Sequence, residues 1–235
     1  MEKTDGFVLI PAYHESGRIG DVVRQVLPFC SRVVVVDDGS GDGTAEAARA
    51  AGATVLVHEQ NQGKGAALRT GFDYARDQGA AFVLTMDGDG QHAPDDIPGF
   101  LDAFERGEAP VIIGNRMDDP TSMPLVRRLT NRFMSWLLSR KMGQRVPDTQ
   151  NGFRLYRTDL LPHMTGGEAR FAAESEILLV LSRRGVRIGS VPVRIIYGDE
   201  RSKIRPLRDT LRFIRMLRAF DRKAAECELM AETGK

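Results

Sequence analysis

Asp87 and Asp89 stand two residues apart, with Gly88 between them, Gly90 behind and Gln91 one step further. Side chains at i and i+2 of an extended segment point the same way, so both carboxylates and the Gln91 amide can address one ligand. The glycines let the backbone turn sharply and approach that ligand closely. Two neighbouring carboxylates repel unless a cation sits between them. Hard oxygen donors of this kind suit Mg²⁺ or Mn²⁺ shared with substrate phosphates, and such an ion neutralises a departing diphosphate. A tight polar turn closing a strand accounts for the same residues without any chemistry. An EF-hand calcium loop does not fit. Counted from Asp87, His92 stands where that loop needs glycine and Pro98 where it needs glutamate; counted from Asp38, the closing position holds Arg49. Gly88-x-Gly90-x-x-Ala93 matches a permissive dinucleotide fingerprint, but it follows a late strand, and Asp89 inside it repels a pyrophosphate unless metal intervenes.

The elements that must position this cluster alternate. Phe7 to Ile10 is an apolar run ended by Pro11 and reads as a buried strand. Arg18 to Leu27 carries apolar residues at helical spacing and stops before Pro28. Val33 to Val36 is wholly β-branched, as in a strand covered on both faces. A turn from Asp37 to Thr44 leads into an Ala-rich helix through Ala51, and Thr54 to Val57 reads as a third strand. The stretch Asn61 to Gly65 opens a helix through Arg76; Phe82 to Met86 and Val111 to Ile113 read as strands four and five. Leu125 to Met142 and Ser175 to Ser182 read as helices, and Arg187 to Tyr197 as one or two strands. Alternation of this kind predicts an α/β fold with a Rossmann-like, mostly parallel sheet flanked by helices. Ligands of such sheets gather at the carboxyl ends of the strands, and Tyr13, Glu15, Asp37, Asp38, Asp87 and Asp89 all fall there.

Six motifs occur in order: Pro11-Ala12-Tyr13-His14-Glu15, Val35-Val36-Asp37-Asp38-Gly39-Ser40, Asn61-Gln62-Gly63-Lys64-Gly65, Asp87-Gly88-Asp89-Gly90-Gln91-His92, Gly114-Asn115-Arg116 and Asp148-Thr149-Gln150-Asn151-Gly152-Phe153-Arg154. With them the chain, from about Phe7 to about Phe220, resembles the inverting family-2 glycosyltransferases of GT-A fold. It is most similar to the dolichyl- and polyprenyl-phosphate mannosyl- and glucosyltransferases, and the Asp148 to Phe153 motif leans toward the glucosyl branch. The resemblance implies a nucleotide-diphosphate sugar as donor, GDP-mannose or UDP-glucose in type, and a polyprenyl or dolichyl phosphate as acceptor. It places Pro11, Tyr13 and Glu15 against the nucleotide and Val36 and Asp38 beside base or ribose. Asp87 and Gly88 would touch nucleotide and sugar, with Asp89 and Gln91 as direct ligands of Mg²⁺ or Mn²⁺. Pro11 merely ending a strand and Asp38 merely capping a turn are the plainer alternatives.

By the same resemblance, Arg116, Arg127, Arg128 and Arg201 with Lys203 fall in segments that hold the acceptor phosphate, which the planar guanidinium fork suits, with a solvated helix charge as the plainer alternative for Arg128. Asn131 lies one helical turn from Arg127. A phosphate acceptor is already an anion at neutral pH and asks only for positioning and charge neutralisation. A hydroxyl acceptor, on a soluble glycan or small molecule, would need a carboxylate base. Glu174 and Glu176 are the candidates, although a helix N-terminus favours acids in any case. A catalytically silent nucleotide-binding relative is a third reading, against which the intact Asp87, Asp89 and Gln91 set stands.

The chain divides at 1–204, the catalytic domain, and 205–235, a basic amphipathic helix and tail. Leu207, Leu211, Ile214 and Leu217 form an apolar stripe widened by Phe213, Met216 and Phe220, beside Arg208, Arg212, Arg215, Arg218 and Arg222. That pattern suits either an anionic membrane surface or packing against the chain's own domain. Lys and Arg total 33 against 32 acids, so no global field for nucleic acid is expected. Two distant cysteines, Cys30 and Cys227, and an N-terminus without signal-peptide features point to the cytoplasm, peripheral on a membrane face.

Overall fold

The computed structural model describes residues 5–118, 123–164, 173–196 and 206–233. The elements run β1 (Gly6–Ala12), α1 (Ile19–Val26), β2 (Val33–Asp37), α2 (Thr44–Ala50), β3 (Thr54–Val57), α3 (Lys64–Asp77), β4 (Phe82–Thr85), α4 (Ile97–Glu105), β5 (Val111–Asn115), α5 (Leu125–Met142), β6 (Arg154–Arg157), α6 (Ala173–Arg183), β7 (Ile188–Pro192) and α7 (Pro206–Thr233). Short 3₁₀ turns occupy Pro94–Asp96 and Thr158–His163.

Seven strands form one sheet in the order β3-β2-β1-β4-β6-β5-β7. β1 pairs in parallel with β2 and β4, β2 with β3, and β5 with β7. β6 is antiparallel to both its neighbours, Thr85 opposing Arg154 on one side and Ile113 opposing Arg154 on the other. The fold is therefore the expected α/β arrangement, with one reversed strand. The reversal matters for position. A strand running against the rest begins where its neighbours end, so the segment entering β6, residues 148–153, lies at the same sheet edge as the segments leaving β4 and β5.

Each strand alternates between two cores. Leu9, Val34, Val36, Val83, Ile113 and Tyr156 face a core shared with α3, α5, α6 and α7. Val8, Ile10, Val33, Val35, Leu84, Ile112 and Leu155 face a second, shared with α1, α2 and α4. Both faces are covered, which is why β2 can be an unbroken valine run. Two elements have no counterpart in the sequence reading: α4, which carries Pro98 and Gly99 in its first turn, and the four-residue β6.

The C-terminal helix begins at Pro206 and joins the first core through Phe213, Met216 and Leu217. Phe220 packs against that core and carries the Arg183 guanidinium 4.4 Å from its ring centroid. Lys141 of α5 pairs with Asp221. The expected single apolar stripe is therefore divided: Phe213, Met216 and Leu217 turn inward, whereas Leu211 is exposed. Burial follows i, i+3, i+4 and thus sets the helix on its own domain, with Arg208, Arg212, Arg215, Arg218 and Arg222 on the solvent side. Among the described residues, no helix is long and apolar enough to cross a membrane.

Candidate active site

The ends of β1, β2 and β4 converge on a cavity of about 450 Å³ lined by Pro11, Tyr13, Glu15, Asp38, Lys64, Asp87, Gly88 and Asp89, together with Asn61 and Gly63. The segment after β1 is held by hydrogen bonds to the neighbouring turn: the His14 amide donates to Ser40 Oγ at 3.0 Å and the Glu15 amide to Thr44 Oγ1 at 3.0 Å. These contacts fix His14 at φ 58°, a left-handed conformation uncommon for a side-chain-bearing residue. Tyr13 stays half exposed, its ring 4.1 Å from the His14 ring, with a face open for stacking.

Asp38 is buried, and both of its carboxylate oxygens are engaged. It accepts from the His58 ring at 2.7 Å, from the Gln62 amide at 2.9 Å and from the Gly63 amide at 2.7 Å. His58 Nε2 in turn meets Thr70 Oγ1 at 2.9 Å. Asp38 thus pins the Asn61–Gly63 loop, and Gly63, at φ 93°, starts α3 directly behind it. Val36, the last apolar residue of β2, stands immediately before Asp37 and Asp38. Strand alternation puts its side chain in the first core with Leu9, Ala67 and Leu68.

Lys64, the first residue of α3, reaches across the site. Its ammonium lies 2.5 Å from Asp87 Oδ1 and 2.6 Å from Glu174 Oε1. Burial, the largest single influence, would raise the Asp87 pKa, but the Lys64 charge and hydrogen bond, joined by His92 and Arg116, together outweigh it and hold the carboxyl at about 2. Glu174 is lowered in the same way, against burial, by Lys64 and then Arg154. Lys64 is raised: burial works against its charge, and Asp87 and Glu174 more than offset that. His92 is pushed down by burial and is therefore neutral at pH 7. Its Nδ1 accepts the Asp87 amide at 3.1 Å while its ring stacks 5.0 Å from Phe153, so Nε2 carries the proton.

The segment entering β6 closes the site from the other side. A Cβ on Gly152 would stand 3.0 Å from Asp87 Oδ2 and 3.1 Å from Lys64 Nζ, so only glycine fits there without displacing both. Arg154 is buried and stitches this segment together, donating to Asn151 O at 2.6 Å, Thr149 O at 2.8 Å and Glu174 O at 2.7 Å. Its guanidinium also lies 3.5 Å from Glu174 Oε2. Asp148 grips Arg116 bidentately, at 2.6 Å and 2.9 Å. Ser135 of α5 accepts the Thr149 amide at 2.9 Å, tying that helix to the same segment.

Of the residues expected at the acceptor phosphate, Arg116 is buried against Asp148, and Arg127 sits half-buried on α5 one turn before buried Asn131. Arg201 and Lys203 lie outside the described residues. Sequence reasoning gave no role to Lys64, Gly152, Arg154 or His92, although all four stand inside quoted motifs. The available signal was a lysine opening a helix after a Gly-rich loop, within reach of a strand-end carboxylate.

Asp89 differs from Asp87. Among the described residues it has no ion-pair partner; Oδ1 takes the Gln91 amide at 3.0 Å. It also borders a second cavity of about 550 Å³ with Gln91, His92, Arg18 and Gln25. No cluster of three or more His, Cys, Asp or Glu side chains able to hold a metal occurs among the described residues. The donors are instead one uncompensated carboxylate, one amide oxygen and the lysine-neutralised Asp87. That set fits a hard cation completing its shell with diphosphate oxygens.

A family model, glycosyl transferase family 2, matches residues 7–164. The chain belongs to glycosyl transferase family 2. It is a glycosyltransferase, as the relatives within that family also are. It is 29% identical over 216 residues to the UDP-N-acetylglucosamine–dolichyl-phosphate N-acetylglucosaminyltransferase of Methanococcus voltae, covering 82% of this chain and 86% of that one. It is 33% identical over 189 residues to the dolichyl-phosphate hexose transferase of Haloferax volcanii, covering 79% and 80%. Among solved structures, glucosyl-3-phosphoglycerate synthase from Mycobacterium tuberculosis, in complex with Mn²⁺, uridine diphosphate and glucosyl-3-phosphoglycerate, superposes with a TM-score of 0.71 at 21% identity, over 92% of this chain and 78% of that one. That likeness establishes the shared GT-A-like fold.

Proposed function

We propose that this family-2 enzyme moves a hexose-type sugar from a nucleotide-diphosphate donor to a polyprenyl or dolichyl phosphate, with inversion, at a membrane surface. The observation that carries the acceptor class is the clamp on Glu174. A general base works best with a pKa near the operating pH, and Glu174 is held low by Lys64 and Arg154. It is poorly suited to deprotonating a hydroxyl, whereas a lipid phosphate arrives as an anion and needs no base. The two named relatives that act on dolichyl phosphate support the same reading.

On this reading the nucleotide lies in the cavity of Pro11, Tyr13, Glu15 and Gly88, with Tyr13 stacking on the base and Asp38 holding the loop beneath. Asp89 and Gln91, with Asp87 behind them, would hold Mg²⁺ or Mn²⁺, which supplies charge neutralisation at the leaving diphosphate. Lys64 keeps Asp87 ionised and aimed at the cavity, and His92 fixes the Asp87 backbone. Arg116, Arg127, Arg201 and Lys203 are assigned to the acceptor phosphate.

Purified enzyme is incubated with labelled UDP- and GDP-sugars, Mn²⁺, and either a short-chain polyprenyl phosphate or a soluble oligosaccharide. Label is expected in the organic phase. Label moving only into the aqueous glycan would overturn the acceptor assignment.

A further inference from the structure

The structure assigns a lipid-docking surface to the outer face of α5. Five large apolar residues there are open to solvent: Leu125 (67% exposed), Val126 (61%), Leu129 (59%), Phe133 (46%) and Trp136 (56%). At 100° per residue they span about 100° of the helix circumference. The buried residues, Asn131, Met134, Ser135 and Leu138, lie on the opposite side. The apolar stripe of α5 therefore points outward, while the face against the domain is half polar. A contiguous exposed apolar stripe of this kind marks a contact surface.

Charge decides between occupants. The 18 residues of α5 contain Arg127, Arg128, Arg132, Arg140 and Lys141 and not one acid. Arg132 and Arg140 are exposed and Arg128 half-exposed. A second copy of the chain packed face to face would set like charges against each other, because a two-fold interface repeats the same patch. An anionic bilayer surface complements them: headgroups meet the arginines, and Trp136, Phe133 and Leu129 enter the acyl boundary. The opposite face of α5 binds the segment entering β6 through Ser135 and Thr149. Docking by the outer face thus puts the site about one helix diameter, roughly 10 Å, from the headgroup layer, where a polyprenyl phosphate presents its phosphate. The choice of lipid rests in part on the acceptor assigned above.

Trp136 is the chain's single tryptophan, so its emission reports on this face alone. Full-length protein is mixed with phosphatidylcholine vesicles with and without phosphatidylglycerol. A blue shift, and quenching by brominated acyl chains, are expected with the anionic vesicles only, weakening as salt is added. F133S/W136S should lose about tenfold or more in co-sedimentation, keep its melting point, and still glycosylate a water-soluble short-chain polyprenyl phosphate. Replacing Arg212 and Arg215 of α7 with Glu should cost less. Co-sedimentation with unchanged Trp136 emission, no co-sedimentation, or concentration-dependent self-association that alone shifts Trp136 would each overturn the assignment. Failure here with transfer to the short-chain acceptor intact removes only the docking surface. Insertion of Trp136 with no transfer to any lipid phosphate removes only the acceptor reading.

Discussion

The two sides of the catalytic edge are built on different logics. On the donor side, Tyr13, Asp38 and Asp87 each follow a parallel strand, and the strand-end loops are tied to one another by backbone amides bonding side chains, His14 to Ser40 and Gln62 to Asp38. On the acceptor side, residues 148–154 are set by buried side chains: Arg116 holds Asp148, Ser135 holds Thr149, and Arg154 reaches the backbone of Glu174. The donor half is thus held by amides of adjacent strand-end loops, whereas the acceptor half depends on buried arginines meeting a carboxylate and backbone carbonyls across elements. Lys64 is the joint between them, one ammonium shared by a carboxylate from each side.

Asp89→Ala breaks the comparison most severely. Transfer is expected to fall by about a thousandfold or more, with the circular dichroism spectrum and melting point unchanged. Activity persisting in chelator would remove Asp89 from the metal role.

Lys64→Met tests the joint. It leaves Asp87 and Glu174 facing each other without their shared cation; with these side chains partly open to solvent, the cost is about 1–3 kcal/mol at pH 7. The sign with pH is definite. In the native protein the Asp87 carboxyl sits at about 2, below its unfolded value of about 3.9. Its contribution is therefore present above about pH 4 and lost as pH falls toward 2. In the variant, burial dominates and protonation favours the folded state. The stability gap between the two should narrow from pH 7 to pH 4, read by urea unfolding in chelator. A gap constant over that range would mean the ion pairs contribute nothing.

Glu174→Gln sharpens the comparison with the smallest change. On the proposed reading Glu174 is a counter-ion and not a base, so in this variant transfer to a lipid phosphate should drop less than about tenfold, without losing a basic limb from its pH–rate profile. A loss near the 10²–10⁴ range typical of a removed general base would instead restore the hydroxyl-acceptor reading.

The same division governs what could be read from the letters. The valine run of β2 and the glycine-bounded carboxylates after β4 report their own surroundings, so the strand ends that line the first cavity were legible, although Lys64 in that lining was not. The acceptor half was not. Arg154 reads as a polar break, yet it is a fully buried strand residue because three carbonyls and Glu174 satisfy it. The limits of α5 were legible but its orientation was not: Leu125, Leu129, Phe133 and Trp136 look like a core stripe, while Asn131 and Ser135 are the residues that go inside. Periodicity shows that a helix has two faces and cannot say which neighbour each one meets.

The reversed strand has a mechanical corollary. Among the described residues, the ladder from β3 through β4 connects with the β5–β7 pair only by way of β6, four residues long. Any hinge opening between the two halves of the sheet would have to unzip the pairing of Arg154–Arg157 with Phe82–Thr85, or that of Arg154, Leu155 and Tyr156 with β5. With Arg154 clamped inside that seam, such an opening would also have to break its bonds to Asn151, Thr149 and Glu174.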